Sequence, residues 1–318
     1  MIIRRRPLLA GALSLAAIRP ASAQGYPIRP IRVIVPYAPG ATDLYVRPLQ
    51  QSLAQALGQP VIVDTIAGSG GGIGANRVRT SAPDGYTLLF CGTAALTVVP
   101  RLNRDLGYTS TDFAPICNIV TTPMMIAAGR NARFRTIGEM VEQARVRPEN
   151  VSYGTAGIGS SQHLAVETMA LAAGVKLLHV PYPGFGPALA SLLAGDLDMA
   201  AGAPLVIMPV VESHGIVPLA HTGPMRMASL PDVPTLLESG LQAELVSRFG
   251  FFAPKQTPAP ILDQLSQVIR TAAAAPAYGE LIRRGFNEVS LLDQAAFRDV
   301  LAAEDRSNAL LLERLGAR

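Results

Sequence analysis

Short runs of β-branched and apolar residues alternate with longer helical patterns along most of this chain. The strand candidates are residues 31–35, 61–63, 87–90, 124–127, 151–153, 177–180, 197–200 and 217–220. The helix candidates are residues 46–57, 73–81, 137–145, 163–173, 187–194, 258–274, 277–284 and 294–315. Within the first helix candidate, Leu49, Leu53 and Leu57 recur at helical spacing and give it one apolar face. This alternation predicts an α/β fold with mainly parallel sheets flanked by helices, whose ligand sites lie beyond the carboxyl ends of the strands.

The first 23 residues have the pattern of a cleaved export signal. Three arginines at positions 4–6 precede an apolar run at 8–18, and residues 21–23 read Ala-Ser-Ala before Gln24. The apolar run is shorter than the roughly 20 residues that span a bilayer as a helix, which disfavours an uncleaved anchor. The pattern therefore predicts a mature periplasmic protein beginning at Gln24, and leaves general secretory and twin-arginine export open.

The formal net charge of +4 comes from this segment. It contains Arg4, Arg5, Arg6 and Arg19, so of 27 basic residues 23 remain in the mature chain, against 23 acidic ones. A balanced mature chain argues against nucleic acid or an anionic membrane as the partner. Any preference for an anionic ligand must then come from local geometry.

No sequence pattern indicates a metal or a nucleotide cofactor. Cys91 and Cys117 lie in apolar strand-like stretches, where either two buried thiols or a disulfide is compatible with the sequence. The glycine-rich residues 68–74 loosely match a dinucleotide fingerprint, but the acidic residue expected about 20 positions later is missing. We therefore expect no cofactor.

Two turns join a strand to a helix through small residues and hydroxyls. One follows residues 31–35 and reads Pro-Tyr-Ala-Pro-Gly-Ala-Thr-Asp, and the other, at 153–164, reads Tyr-Gly-Thr-Ala-Gly-Ile-Gly-Ser-Ser-Gln-His-Leu. Unpaired backbone N–H groups at a helix start favour an anion. Two such turns predict a protein that holds a small carboxylate from two sides.

About 295 mature residues are long for one core, so we expect two domains. Proline and glycine interrupt the chain near 121–123 and 223–234. The predicted order is a signal peptide at 1–23, a first domain built from 24–123 and 226–318, and a second domain at 124–225. Ligand is expected to close these domains around a cleft.

Seven strings in order resemble the Bug-type receptors of tripartite tricarboxylate transporters. They lie at residues 26–40, 82–89, 112–115, 153–164, 179–182, 230–235 and 249–254. The resemblance implies a two-domain periplasmic binding protein, type II-like, that is monomeric and has neither catalysis nor cofactor. It implies a small organic carboxylate as ligand, namely a di- or tricarboxylate, an aromatic acid or an acidic amino acid. A membrane permease is the implied partner, with a sensor kinase as the alternative.

The resemblance also implies the ligand-binding residues. In the first turn they are Tyr37, Ala38, Gly40, Ala41, Thr42 and Asp43. In the second they are Thr155, Ala156, Gly157, Gly159, Ser160, Ser161 and His163. The cleft wall and further strand ends add Gly70, Gly71, Thr93, Ala94, Gly202 and Ala203.

Some of these positions leave alternatives open. Thr42 or Asp43 can cap the helix after the first turn, and His163 either donates to the ligand or packs against backbone. Arg248 either clamps a second carboxylate or lies on the surface. Pro183 and Phe185 depart from the commoner Lys and Gly of the family.

A hydrolase is the less favoured function. Ser160, Ser161 and His163 are too close in sequence at one helix start to place the imidazole on a hydroxyl, and the chain has no Gly-x-Ser-x-Gly turn. We therefore expect a binding protein without enzymatic activity.

Overall fold

The computed structural model describes residues 25–227 and 229–314, so the predicted signal peptide and its cleavage site lie outside the described part. Its strands are β1 (Ile31–Val35), β2 (Val61–Thr65), β3 (Thr87–Gly92), β4 (Phe113–Pro123), β5 (Met125–Ala128), β6 (Ser152–Thr155), β7 (Leu178–Pro181), β8 (Met199–Gly202), β9 (Val217–His221), β10 (Val246–Pro254) and β11 (Glu288–Val289). Its helices are α1 (Ala41–Val46), α2 (Gln50–Leu57), α3 (Gly72–Arg79), α4 (Ala94–Thr97), α5 (Val99–Leu102), α6 (Ile137–Val146), α7 (Ser161–Ala173), α8 (Phe185–Ala194), α9 (Pro204–His214), α10 (Ala259–Ala273), α11 (Pro276–Arg284) and α12 (Gln294–Arg314).

Two mixed sheets flanked by helices form two lobes. The first has the strand order β11-β4-β10-β3-β1-β2, and the second has the order β7-β6-β8-β5-β9. Strand β1 runs parallel to β2 and β3, and β6 runs parallel to β7 and β8. The other five pairs are antiparallel, and each of them contains β4, β5 or β10. These are the strands that adjoin the passages of the chain between the lobes. The two-lobed α/β fold is as predicted, but the sheets of the described residues are mixed and not mainly parallel: four strand pairs, all around β1 and β6, are parallel and five are antiparallel.

The chain passes between the lobes at the ends of β4 and β10. Only Met124 separates β4 from β5, which belong to different sheets. On the return, the segment between β9 and β10 is bonded to the second lobe: the His221 N–H donates to the Pro234 carbonyl at 2.9 Å, and the Leu245 N–H to the Thr222 carbonyl at 2.8 Å. The boundaries 123/124 and 225/226 stay a prediction.

The centre of the first lobe is apolar and aromatic. Phe90 of β3 and Phe251 of β10 are fully buried with ring centroids 4.8 Å apart. Cys91 and Cys117 are buried in the same core as free thiols, so the disulfide alternative is not realised. Both cysteines therefore serve as small packing residues.

Helix positions follow from apolar spacing and from caps. Leu262, Leu265 and Ile269 of α10 recur at helical spacing and are buried. Helix α6 begins after Thr136, whose hydroxyl accepts the Glu139 N–H at 3.2 Å. The predicted helix at 46–57 is interrupted by a 3₁₀ turn at Arg47–Leu49, where Pro48 lacks the N–H that a continuous helix needs.

All eight predicted strands are present, with each end within two residues of its predicted position. Strands β4, β10 and β11 and helices α4, α5 and α9 were not among the predicted elements, and the candidate at 46–57 includes only the last residue of α1. Strand β4 contains Pro115 and Asn118, β10 contains Arg248 and Gly250, and α9 contains Pro209, which weaken the local signals. Among the described residues, no helix has both the length and the apolar character to cross a bilayer.

Candidate functional site

A small cavity of about 20 Å³ lies between the two lobes. Its lining residues are Tyr37, Ala38, Thr42 and Phe249 from the first lobe, and Ala156, Ser161, Gln162 and Phe185 from the second. Seven of the eight are buried, and Ala38 is half-buried. Within the described part of the chain, the four polar side chains of this set have no hydrogen-bond partner. Both lobes therefore present free polar groups to one enclosed space.

The second lobe presents the start of α7. Ser160 caps this helix, because its hydroxyl accepts the His163 N–H at 3.3 Å. Ser161 and Gln162 occupy the first two helical positions, whose N–H groups have no acceptor within the helix. The positive end of a 13-residue helix thus adjoins the cavity.

Behind the helix start, a stack of rings fixes the turn. The Gly159 N–H donates to Nδ1 of His163 at 3.0 Å, and the His163 and His179 rings stack with centroids 4.2 Å apart. His179 also stacks on Tyr153 and contacts the Thr155 hydroxyl through Nε2 at 2.7 Å. Burial, and then the neighbouring His163, lower the pKa of His179 to about 3, and burial lowers the pKa of His163. Both imidazoles are therefore neutral near pH 7 and support the turn from outside the cavity.

The first lobe presents the turn between β1 and α1. Burial, and then Cys91 and Tyr108, raise the pKa of Tyr37 well above its usual value, so its phenol remains an O–H donor. No side chain caps α1, in contrast to the expectation for Thr42 or Asp43. Buried Asp43 instead accepts a hydrogen bond from Arg47 Nε at 2.9 Å, because Arg47 lies one turn later on the same helical face.

Glycines bring the two lobes into contact around the cavity. A Cβ atom at Gly184 would lie 2.8 Å from Cβ of Ala38, and one at Gly157 would lie 3.1 Å from the backbone nitrogen of Gly70. At both positions the added Cβ atom would be closer to the other lobe than Cβ atoms normally lie to non-bonded neighbours. The lobes therefore meet through bare backbone, as a closed cleft requires.

A second cavity, of about 410 Å³, lies on the other side of Ser161. The start of β10, where the chain passes between the lobes, lines it, and we call it the hinge cavity. Thr93, Ala94 and Arg248 line it, so Arg248 faces this space and not the small cavity. The Arg248 guanidinium is ion-paired with Glu304 of α12. Neither alternative from the sequence describes Arg248 fully, because it is partly buried and already engaged by an acid.

Comparison with known proteins identifies the family. The sequence profile described as the tripartite tricarboxylate transporter family receptor matches residues 45–316. This chain belongs to that receptor family. A UPF0065 protein encoded between tcbD and tcbE in Pseudomonas sp. (strain P51) is 35% identical over 288 residues, covering 89% of this chain and 86% of the relative. The resemblance seen in the sequence is thereby confirmed.

Solved structures of similar proteins agree with the two-lobed fold. The periplasmic binding protein BugD is 32% identical, with a TM-score of 0.86 over 92% of this chain and 99% of BugD. MatC from Rhodopseudomonas palustris with bound malate is 25% identical, with a TM-score of 0.86 over 90% of this chain and all of MatC. An R. palustris protein with adipate is 26% identical, with a TM-score of 0.84 over 92% and 98% of the two chains. The family is thus one of periplasmic solute-binding proteins, with members whose structures contain dicarboxylates.

The predicted site residues of this receptor fall into four groups, three that line different spaces and one that lines none of them. Tyr37, Ala38, Thr42, Ala156 and Ser161 line the small cavity. Thr93 and Ala94 line the hinge cavity, and Gly70 and Gly157 line an outer groove of about 450 Å³. Of the remaining positions, those whose side chains the structure describes line none of these three spaces: Gly40, Asp43, Gly71, Thr155, Gly159, Ser160, His163, Gly202 and Ala203.

Three residues that line the small cavity were not predicted as site residues. Gln162 lies inside the second-turn string, and Phe249 opens the string at 249–254, so both were within matched segments. Phe185 was visible only as a departure from the family pattern. A larger groove of about 940 Å³, between Arg101 and Glu313, contains none of the predicted residues.

Metal binding has no support in the described residues of the receptor. Residues 25–227 and 229–314 contain no group of three or more His, Cys, Asp or Glu side chains placed to hold an ion. The side chains of the small cavity are hydroxyl, amide, phenol, methyl and phenyl groups. They offer hydrogen bonds and apolar contact.

Proposed function

We propose that this protein is a periplasmic receptor that captures a small organic carboxylate between its lobes and delivers it to a membrane permease. One observation carries the proposal: a cavity between the lobes is lined by buried polar side chains without protein partners and by the start of α7. Family membership supports a receptor. The carboxylates in the MatC and adipate-bound structures support the ligand class.

The proposed contacts come from both lobes. The N–H groups of Ser161 and Gln162 face one carboxylate oxygen pair at the positive end of α7. The Tyr37 phenol and the Thr42 hydroxyl approach from the other lobe. Each such contact contributes roughly 0.3–2 kcal/mol, whereas micromolar affinity needs about 8 kcal/mol. Several donors from both lobes must therefore converge, which couples binding to closure.

The other predicted positions have a supporting role in this proposal. Ser160 and Thr155 fix the second turn through hydrogen bonds, and Gly70 and Gly157 permit the lobes to meet. His163 positions the turn through Gly159. We propose no chemistry at Ser160 or Ser161, because Nδ1 of His163 is already occupied by that backbone N–H and cannot act as a base toward them.

Calorimetry on the protein beginning at Gln24 tests ligand binding. A panel of mono-, di- and tricarboxylates, aromatic acids and acidic amino acids is titrated after exhaustive chelation of metals. We expect at least one acid to bind with a Kd in the micromolar range or below and to be recovered unchanged after denaturation, as judged by mass spectrometry. Conversion of the acid, or binding that returns only with added metal, would contradict the proposal.

Delivery and location need cellular tests. We expect a strain lacking the receptor to lose uptake of the radiolabelled acid and the periplasmic protein to begin at Gln24 by N-terminal sequencing. Normal uptake with loss of acid-induced transcription would instead assign the receptor to a membrane sensor. A protein retained with residues 1–23 would contradict cleavage.

A further inference from the structure

Thr222 contacts both passages of the chain between the lobes. It directly follows β9 and is only 1% exposed. Its N–H donates to the Met124 carbonyl at 2.9 Å, and its carbonyl accepts the Leu245 N–H at 2.8 Å. Its hydroxyl accepts the Met124 N–H at 2.9 Å and donates to the Leu245 carbonyl. One residue of the second lobe therefore bonds through its backbone and its side chain to both residues at which the chain crosses.

The first lobe holds the same two segments on the other side of each crossing. Pro123, the last residue of β4, pairs with Val246, the first residue of β10. The adjoining residues Met124 and Leu245 are bonded to Thr222 instead. Because bonded residues lie on both sides, a rotation of the lobes must be absorbed where residue 123 meets 124 and residue 245 meets 246. These two junctions form the hinge.

The segment that precedes the second junction packs with the second lobe. Leu236 and Ala243 are buried in the same apolar core as residues of β5. The Leu236 N–H also donates to the His221 carbonyl at 3.0 Å. This packing favours a boundary of the second lobe at 245/246, later in the chain than the boundary at 225/226 that proline and glycine suggest in the sequence.

We propose that Thr222 is the positioning residue of the hinge. It ties both crossings to the second lobe, so that the lobes close by bending at the two junctions alone. The hydroxyl matters most, because one oxygen atom bonds both crossings at once. Without it the Met124 N–H and the Leu245 carbonyl each lose a buried partner, which favours separation of the two segments and entry of water. The inference goes beyond the proposed receptor function and does not depend on which acid is bound.

Three substitutions separate the hydroxyl from the shape of the side chain. Thr222→Val removes the hydroxyl with little change in shape, whereas Thr222→Ser retains it. Thr257→Val is the matched control, because Thr257 is 5% exposed in the first lobe and its Oγ1 has no hydrogen-bond partner among the described residues. Urea unfolding establishes that each variant is folded.

Double electron–electron resonance measures the distance between the lobes without ligand. Spin labels are attached at Gln55→Cys in α2 and Glu142→Cys in α6, which are exposed positions, while the two native thiols are buried. In Thr222→Val we expect the fraction of molecules outside the wild-type distance peak to rise about tenfold, as the loss of two hydrogen bonds implies. Thr222→Ser and Thr257→Val should both retain the wild-type distribution.

The outcomes distinguish a hinge residue from a merely structural one. An unchanged distribution in folded Thr222→Val overturns the inference even where stability is lower, and so does an equal broadening in Thr257→Val. Hydrogen exchange of the wild type decides where the valine variant fails to fold: the Met124 and Leu245 amides should exchange as slowly as those of the inner strand β5, and exchange about 100-fold faster at either one overturns the inference. None of these measurements uses an acid, so absence of carboxylate binding refutes the proposed function alone.

Discussion

Replacing Gly184 by alanine adds one methyl group at the place where the lobes meet. Gly184 precedes α8 with φ of 179°, an extended backbone that alanine adopts without strain. The new Cβ would lie 2.8 Å from Cβ and 3.0 Å from the backbone nitrogen of Ala38, across the cleft. Atoms of this kind normally stay at least about 3.4–4 Å apart, so the lobes cannot close fully unless backbone moves.

The expected magnitude follows from the cost of overpacking. An extra methyl group in a well-packed contact costs typically about 1–3 kcal/mol, which corresponds to about a 5- to 150-fold weaker affinity if only the closed state has the contact. Calorimetry measures the affinity, and small-angle scattering with and without ligand measures closure. We expect the variant to bind more weakly and to show a smaller decrease in radius of gyration than the wild type.

Gly138→Ala is the matched control. Gly138 lies in α6, and a Cβ atom there would meet only Thr136 Oγ1 at 3.9 Å. This change should leave affinity unaltered while helix propensity maintains or raises the unfolding temperature. Unaltered affinity in Gly184→Ala would show that this contact does not form in the bound state. A lower unfolding temperature of ligand-free Gly184→Ala would show that the cleft is already closed without ligand.

Three further changes test the second turn. Ser161→Asp places a carboxylate against the bound one and should weaken binding by about 100-fold or more in calorimetry, whereas the neutral Ser161→Asn should cost less than about tenfold. Ser160→Ala removes the cap of α7 and should lower stability by about 1 kcal/mol in urea unfolding; an unchanged midpoint would mean that solvent replaces the hydroxyl. The pKa of His179 is lowered to about 3 from an ordinary value of about 6.5, so the unfolded chain takes up the proton first as pH falls. The contribution of neutral His179 to the free energy of unfolding is complete above pH 6.5 and is lost as pH falls towards 3. The His179→Gln variant should therefore show a smaller difference between its urea midpoints at pH 7.5 and 4.5 than the wild type. An equal difference in the variant and the wild type would assign the pH dependence to other groups.

The sequence predicts those parts of the fold whose signals are local. Strand β1 is a short run of β-branched residues, and β6 ends in a glycine-rich turn, so their positions follow from nearby residues. Strands β4 and β10 are different, because they pair with each other over nine positions with two register shifts. Each contains residues that are unfavourable in an isolated strand, and their stability comes from a partner more than a hundred residues away.

The candidate site shows the same limit at the level of single side chains. The sequence locates both turns, and five predicted residues line the small cavity, but it cannot tell which neighbours share that space. Ser161 illustrates the reason: a Cβ atom at Gly92 would lie 3.2 Å from Ser161 Oγ, so the helix start contacts the bare end of β3 in the other lobe. Ser161 therefore separates two spaces: Gln162 lines the small cavity, and Thr93 lines the cavity of about 410 Å³. Because the division depends on how one lobe meets the other, neither segment alone predicts it: a Cβ atom at Gly92 would meet Ser161 of the other lobe and, at 3.3 Å, the Phe249 ring of its own lobe.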